Sequence, residues 1–576
     1  GGRYGLSSKD TTPVQIVTVF ENMDSASPKM RFTVGIEDDV THLSLPVKPE
    51  ISISKKGTFE AKFYGLGSDG TVGANKNSIK IIGDSTDKYA QAYFAYDSKK
   101  SGGVTTSHLR FGDEPILSPY LVCTPDFVAC HVPSYISKYD MLRGIKKGGT
   151  FLLNSIWDVE ETKKQLPDTL KKTLAEKEVN FYIINATQIA EEIGLGNRTN
   201  TIMQSAFFKI ANVIPFEDAM AQMKKAVIKS FSRKGEDIVN MNIASIERGS
   251  HVIKVEVPKE WSKLEIKPKK DTRNIPDFVK NVAEPMNALV GDDLKVSAFK
   301  GREDGTFPCG TTVYEKRGIA VNVPEWDSTK CIQCNQCSFV CPHAAIRPFL
   351  LNEEELKNAP AGTVTVKANG KGFEGLQFRV QVSPLDCTGC GVCTETCPAK
   401  EKAIVMKPLG TQSAEIGRFD YMYEKVSNKA HLVEIDKSVK NSQFALPLFQ
   451  FSGACGGCGE TPYIKLITQL FGDRMMVANA TGCTSIYGGS APSTPYTANK
   501  EGKGPAWANS LFEDNAEYGL GMAVGSDKMR SRIVRLMQSA IESNQGLSAQ
   551  TIEALKEWLD SKDNAQASKI ASSKVV

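Results

Sequence analysis

Cys331-Ile-Gln-Cys334-Asn-Gln-Cys337-Ser-Phe-Val-Cys341-Pro342 is matched in spacing by Cys387-Thr-Gly-Cys390-Gly-Val-Cys393-Thr-Glu-Thr-Cys397-Pro398. Each is a complete C-x2-C-x2-C-x3-C-P run. Two-residue gaps let one tight loop wrap three corners of an iron-sulfur cubane, and the chain must then leave before it supplies a fourth thiolate, so the last cysteine of each run serves the other cluster. The spacing predicts a ferredoxin-like α+β module with two 4Fe-4S clusters. One takes Cys331, Cys334, Cys337 and Cys397, and the other takes Cys387, Cys390, Cys393 and Cys341. Gly389 and Gly391 let backbone N–H groups approach the sulfurs, which tunes reduction potential. An electron relay is the function expected. A pair of structural zinc sites is the alternative, although zinc gives no use to a duplicated run with proline after each last cysteine. Between the motifs, residues 362–367 and 376–382 read as a strand pair.

Outward from the motifs, the 576-residue chain carries 70 basic and 66 acidic residues, a formal charge of +4. Its length exceeds one hydrophobic core and implies about three to five domains at roughly 150 residues each. The charge balance makes no case for nucleic acid or an anionic membrane. No apolar run approaches the roughly 20 residues that span a bilayer, and Gly1-Gly2-Arg3-Tyr4-Gly5 has no signal-peptide pattern. A soluble protein of the cytoplasm, or of an anaerobic organelle, is expected. All but Cys123, Cys130 and Cys309 of the 14 cysteines follow residue 330 in short clusters, which points to metal rather than disulfides. The chain lacks an initial Met and becomes Ser, Ala and Lys rich from about Asp560, like a linker or frayed tail, so a piece of something longer is expected.

Upstream, apolar runs at 59–64, 91–96, 120–123, 150–153 and 181–184 read as strands, with helical patterns between them such as 158–177. Residues 198–231 read as two closing amphipathic helices. Residues 32–250 should therefore form a doubly wound α/β domain with a parallel sheet. Residues 1–31 read as a linker or the end of a preceding domain, and 251–323, with Lys267-Pro268-Lys269-Lys270, as a linker or small insert domain. The cluster module covers 324–441, and a partial α/β domain covers 442–576. In the first domain, Gly65-Leu66-Gly67-Ser68-Asp69-Gly70-Thr71-Val72-Gly73-Ala74-Asn75-Lys76 follows a strand and opens a helix. Gly67, Ser68, Gly70, Gly73, Asn75 and Lys76 are candidates to hold a diphosphate-bearing ligand, since the loop backbone and helix N-terminus favour phosphate. Asp97 could then meet a ribose hydroxyl, as in nicotinamide-binding folds. A ligand-free strand-to-helix crossover is the other reading. Cys123 and Cys130 read as buried hydrophobes, and His343 as a surface or tuning residue. No catalytic residue is singled out.

Cys455-Gly-Gly-Cys458 and Gly482-Cys483 place three more cysteines in Gly-rich turns, a further metal site one ligand short or merely tight packing positions. Three segments, Cys455-Gly-Gly-Cys458-Gly-Glu-Thr-Pro-Tyr463, Ala480-Thr-Gly-Cys483-Thr-Ser-Ile-Tyr487 and Pro505-Ala-Trp507-Ala-Asn-Ser-Leu-Phe512-Glu-Asp-Asn515-Ala-Glu-Tyr518-Gly519, resemble the thiamine-binding domain of pyruvate:ferredoxin oxidoreductases. The cluster module fits the same family, as does Thr33-Val-Gly-Ile-Glu37-Asp38-Asp39-Val-Thr-His42, so the resemblance runs through most of the chain. It implies oxidative decarboxylation of pyruvate with coenzyme A, using thiamine diphosphate, Mg and three 4Fe-4S clusters that pass electrons to ferredoxin or flavodoxin, in a homodimer. It also implies Cys455, Cys458 and Cys483 as ligands of the cluster nearest the thiamine, the fourth lying beyond Val576. Coenzyme A becomes the ligand expected at the glycine loop. Neither a Gly-Asp-Gly stretch for magnesium diphosphate nor the family's N-terminal pyruvate domains are present, so a central segment, inactive alone, is expected. A non-catalytic electron-transfer subunit and part of a pyruvate:NADP oxidoreductase fusion are the alternatives.

Overall fold

The computed structural model describes residues 10–67, 69–196, 198–266, 271–544 and 546–575. They form two compact units, one of Gly1–Asp473 with Ile486–Gly504 and one of Arg474–Ser485 with Pro505–Val576.

In the first unit, β1 (Phe59–Leu66), β2 (Tyr89–Tyr96), β3 (Val104–Gly112), β4 (Phe127–Cys130), β5 (Thr150–Asn154), β6 (Asn180–Ile184) and β7 (Ile253–Val255) make one sheet in the order β2-β3-β1-β4-β5-β6-β7. The four strands β1, β4, β5 and β6 are parallel, with Ala61 beside Phe127, Phe127 beside Thr150 and Thr150 beside Asn180. β4 and the inner residues of β5 and β6 read as apolar runs because both sheet faces are covered, whereas β1 carries Glu60 and Lys62. On one face Phe207 meets Phe63 and Phe127 at ring-centroid distances of 5.1 and 5.2 Å, and on the other Leu170 and Leu174 join Phe151 and Phe181.

The edges depart from the expected all-parallel sheet. β3 runs antiparallel to both β1 and β2, and β7 antiparallel to β6. Residues 97–103 are too few for a crossover, so β2 and β3 must form a hairpin. Residues 120–123, expected as a strand, are irregular. The carbonyls of Tyr120 and Leu121 accept instead from the Arg110 guanidinium, which the buried Glu60 holds at 2.8 Å. The helical stretch at 158–177 is two helices, Val159–Gln165 and Asp168–Glu176, because Pro167 lacks an N–H and turns Leu166 extended. Helices Asn200–Ala211 and Phe216–Phe231 close the sheet as expected, joined by Glu236–Arg248.

Further along, Ile346–Leu351, Gln377–Val382 and Val366–Lys367 make a three-stranded antiparallel sheet, and Asn322–Trp326 pairs with Ile404–Pro408. The strand pair expected between the motifs is thus present, with Val366 beside Phe378. Lys267 to Lys270 lie outside the described residues. The second unit begins with parallel strands Met476–Ala480 and Ala506–Ser510, followed by helices Asn515–Ser543, Ala549–Ser561 and Ala565–Val575. The expected frayed tail is therefore helical. Its Ala and Lys are strong helix formers, and it is tied back by the Trp558 indole donating to Ser572 and by the Lys574–Glu557 ion pair at 2.6 Å.

Candidate iron-sulfur centres

The short helices Gln336–Phe339 and Val392–Thr396 each carry the third cysteine of a run, and the loop before each wraps the first two. That wrapping needs left-handed backbone at the same places in both runs. Gly389 and Gly391 have φ of 71° and 78°, while Gln333 and Asn335 adopt 59° and 60° with side chains. Those two side chains are anchored, Gln333 Nε2 donating to Lys367 O at 2.8 Å and Asn335 Nδ2 to Lys440 O at 2.9 Å. The matched turns also aim matched amides at sulfur: Gln333 N donates to Cys331 Sγ at 3.4 Å and Gly389 N to Cys387 Sγ at 3.3 Å.

Cys331, Cys334, Cys337 and Cys397 line one small cavity of about 20 Å³, closed by Trp326 and Ile404. Cys341, Cys387, Cys390 and Cys393 line a second of about 20 Å³, closed by Ile346 and Met406. Each cavity therefore takes three sulfurs from one run and the last from the other. Among the described residues no three His, Cys, Asp or Glu side chains converge as the ligands of one metal ion do. Burial first, and neighbouring cysteines after it, push the Cys337 thiol far above its ordinary range and bring Cys393 to about 12; burial likewise raises Cys387. Ligation needs thiolates, so loading such a site releases these protons.

The turn Cys455-Gly-Gly-Cys458 packs beside the second cavity. Cys458 N donates to Cys455 O at 3.1 Å, and a Cβ built on Gly456 or Gly457 would stand 3.7 Å from the Cys390 Cβ. His343, expected as a surface or tuning residue, is not at the surface: it is 2% exposed, with its ring nitrogens 3.1 and 3.2 Å from the carbonyl oxygens of Ser452 and Cys455. Burial brings its pKa to about 4 and so keeps the ring neutral. The β2–β3 hairpin clamps the same turn: Lys100 N donates to Gly453 O at 2.8 Å, and Gly456 N to Ser101 Oγ at 2.6 Å. Nothing in the local sequence of the hairpin signals that long-range contact. Cys483 lies in the second unit.

At the glycine loop, Ser68 lies outside the described residues. The start of helix Thr71–Ser85 is occupied by the Asp69 carboxylate, which accepts from Leu66 N, Thr71 N and Thr71 Oγ1 at 2.7–2.8 Å. Gly67 N donates to Gly103 O at 2.7 Å, Gly70 has φ of 90°, and Gly73 has open space where a Cβ would be. Asn75 is buried at 3% exposure, and the Lys76 ammonium rests 5.3 Å over the Phe94 ring. Beside the loop opens a cavity of about 480 Å³, lined by Asp97, Glu284, Glu315, Lys99, Lys138, Arg273 and Arg317 among others. Cys123 is half-buried and Cys130 fully buried, and burial raises both thiols, Cys130 to about 12.

Residues 330–401 match the 4Fe-4S dicluster domain, 60–252 the pyruvate ferredoxin/flavodoxin oxidoreductase domain, and 265–320 a domain of unknown function. Fold and site together define an iron-sulfur protein of mixed α/β architecture. The chain is 54% identical to the pyruvate:ferredoxin oxidoreductase of Moorella thermoacetica over 99% of its own length and 48% of that protein. It is 53% identical to the pyruvate-flavodoxin oxidoreductase of Enterobacter agglomerans, over 100% of its length and 49% of the relative. Against the mitochondrial pyruvate dehydrogenase (NADP(+)) of Euglena gracilis the identity is 45%, over 97% and 31%. The chain belongs to the pyruvate:ferredoxin/flavodoxin oxidoreductase family, as a segment spanning about half the length of the first two relatives. A solved pyruvate oxidoreductase subunit from Thermotoga maritima is 22% identical with a TM-score of 0.29, covering 35% of this chain and 100% of that one. Among the described residues no helix is long and apolar enough to cross a membrane.

Proposed function

We propose that this chain is the electron-transfer and coenzyme A-binding part of a pyruvate:ferredoxin or flavodoxin oxidoreductase. In the whole protein, pyruvate would be oxidatively decarboxylated to acetyl-CoA with thiamine diphosphate and Mg, in a homodimer of the cytoplasm or an anaerobic organelle. The observation that carries the reading is the exchange of Cys341 and Cys397 between the two sulfur-lined cavities. When bound there, 4Fe-4S clusters supply one-electron chemistry at potentials set by sulfur hydrogen bonds and burial. The residues of the chain hold and shield that chemistry. Gln333 N and Gly389 N stabilise thiolate charge, and the apolar walls from Trp326 to Met406 help bury Cys337, Cys387 and Cys393. The Cys455–Cys458 turn, offered as part of a third site with Cys483, lies against Cys390, so the sulfur sets follow one another through the first unit. Residues 324–441 would be the ferredoxin-like α+β domain and 442–576 part of a thiamine-diphosphate-binding domain.

For coenzyme A, residues 32–250 would be the doubly wound binding domain and 251–323 its linker domain. The cavity beside the glycine loop, lined by four cations and three carboxylates, supports this reading more than the loop does. A phosphate at the start of helix Thr71–Ser85 would compete with Asp69, whereas Lys99, Lys138 and Arg317 line the cavity, Lys99 and Arg317 lying 3.8 and 3.9 Å from Glu315 and the Lys138 ammonium donating to Arg317 O. Gly67, Gly70, Gly73, Asn75 and Lys76 remain the loop that borders this ligand. Identity to an NADP-named relative favours, as second reading, a place in a fusion that passes electrons to NADP.

Anaerobic reconstitution followed by iron and acid-labile sulfide analysis tests the proposal. The two cavities should hold about eight irons, four per cubane, reducible by dithionite. Zinc retained in their place, with no reducible spectrum, would contradict it. For coenzyme A, calorimetric titration should show binding that weakens about tenfold or more in Lys138→Ala, as loss of a charged hydrogen-bond partner predicts; unchanged affinity would remove the cavity from the reading.

A further inference from the structure

The helix Thr461–Phe471, which starts just after Cys458, is inverted. It buries Thr461, Lys465, Thr468 and Gln469 and exposes Tyr463, Ile467 and Phe471. Burying polar groups is costly unless hydrogen bonds replace water, and here a chain of them runs into the cluster module. Gln469 Nε2 donates to Ala445 O at 2.8 Å, Gln443 Nε2 to Gln469 Oε1 at 3.2 Å, and Ser338 Oγ to Gln443 Oε1 at 3.0 Å. Lys465 ends this face. It is 1% exposed, and its ammonium donates to the carbonyls of Ser338 and of Phe339, the latter at 3.2 Å.

Those two carbonyls lie between Cys337, which lines the first cavity, and Cys341, which lines the second. The ammonium is thus held on the three-residue stretch that joins a ligand of one cavity to a ligand of the other. Among the described residues no carboxylate is within ion-pair distance of Lys465. A buried unpaired charge costs several kcal/mol, and a neutral donor such as glutamine would satisfy the same carbonyls. The positive charge itself therefore calls for a partner. A cubane held by four thiolates is anionic, and becomes more so when reduced.

We propose that Lys465 is the shared counter-cation of the two clusters, fixed between a ligand of each so that its charge raises both reduction potentials together. The inference rests on the two-cluster reading and adds to it a charge that no cysteine spacing reveals. Each cluster takes one electron from dithionite, and removing the cation disfavours that step at both.

The test is an EPR-monitored dithionite titration of the reconstituted whole chain, wild type against Lys465→Gln and Lys465→Arg. Glutamine keeps a donor for the carbonyls without the charge, and arginine keeps the charge. In Lys465→Gln both clusters should shift about tenfold or more toward the oxidised form, a drop of about 59 mV per one-electron couple, while Lys465→Arg stays within about threefold of wild type. Only assembled clusters give the signal, so a lower yield does not mask the shift, and Lys465→Met supplies a second neutral variant of similar volume. Two clusters whose potentials are unchanged in both neutral variants, or equally lowered in Lys465→Arg, would overturn the inference alone. A wild-type protein without two reducible clusters would overturn the cluster reading and the inference with it.

Discussion

Replacing Gly391 with alanine isolates the backbone cost of wrapping three thiolates around a cubane. Gly391 has φ of 78°, and a Cβ there would meet nothing within 4 Å, so the substitution adds strain without a clash. Left-handed backbone costs a residue with a side chain roughly 1–2 kcal/mol. At about 1.4 kcal/mol per tenfold, the loop should hold its iron about five- to thirtyfold less tightly. Gly389, with φ of 71°, is a harder case. A Cβ there would stand 3.0 Å from Asn322 O and 3.1 Å from the Ala320 Cβ, neither of which moves cheaply. Gly389→Ala should therefore lose clearly more than Gly391→Ala. The first run reaches the same conformation with Gln333 and Asn335, whose side-chain anchors offset part of the strain, so Asn335→Gly should be close to neutral. The assay is anaerobic competition with a chelator, followed by the visible absorption of bound iron. Equal losses from the two glycine variants, or none from either, would refute the reasoning.

Three other outcomes are expected. Glu60→Gln leaves the Arg110 guanidinium buried beside a neutral partner, so a cost of about 3–5 kcal/mol is expected, read as a lower urea midpoint at unchanged slope; a change under about 1 kcal/mol would contradict it. Ser101→Ala removes the acceptor for Gly456 N, worth about 1 kcal/mol, and should speed amide exchange at Gly456 about fivefold while distant amides stay unchanged. Burial brings the folded-state pKa of His108 to about 3 and that of His131 to about 4, both below the ordinary 6.5. The unfolded chain alone takes up these protons as pH falls below 6.5, so stability is full above that value. It should be lost toward pH 3–4 at up to about 1.4 kcal/mol per pH unit per histidine. Denaturant midpoints at stepped pH should show a shallower decline in His108→Gln, and an unchanged slope would count against the assignment.

The crossed cysteine sets were legible because spacing alone dictates what a short loop can wrap, and the apolar runs of β5 and β6 were legible because strands covered on both faces carry near-continuous hydrophobic sequence. β3 was not. Thr105 and Ser107 on one face and His108 and Arg110 on the other bury polar side chains on both sides of it, where Arg110 meets Glu60. The apolar run Tyr120–Cys123 misled for the complementary reason: its carbonyls serve that guanidinium rather than a sheet. The glycine loop looks the same in sequence whether or not a ligand fills the helix start, since the residue that decides, Asp69, is an ordinary loop residue. Lys465 sits in a stretch that reads as a plain amphipathic helix, and only the packing reveals that its polar side faces in. The hold of the β2–β3 hairpin on the Cys455–Cys458 turn joins residues hundreds of positions apart, which no local pattern encodes.

Iron content in paired cysteine variants tests the central claim most directly. If Cys397 shares a cluster with Cys334, the double variant Cys334→Ala with Cys397→Ala should keep about four irons in the other cavity, no fewer than either single variant. Pairing Cys397→Ala with Cys390→Ala should instead empty both. The reverse result, near-complete loss in the first pair and retention in the second, would contradict the exchange of last cysteines on which the relay depends.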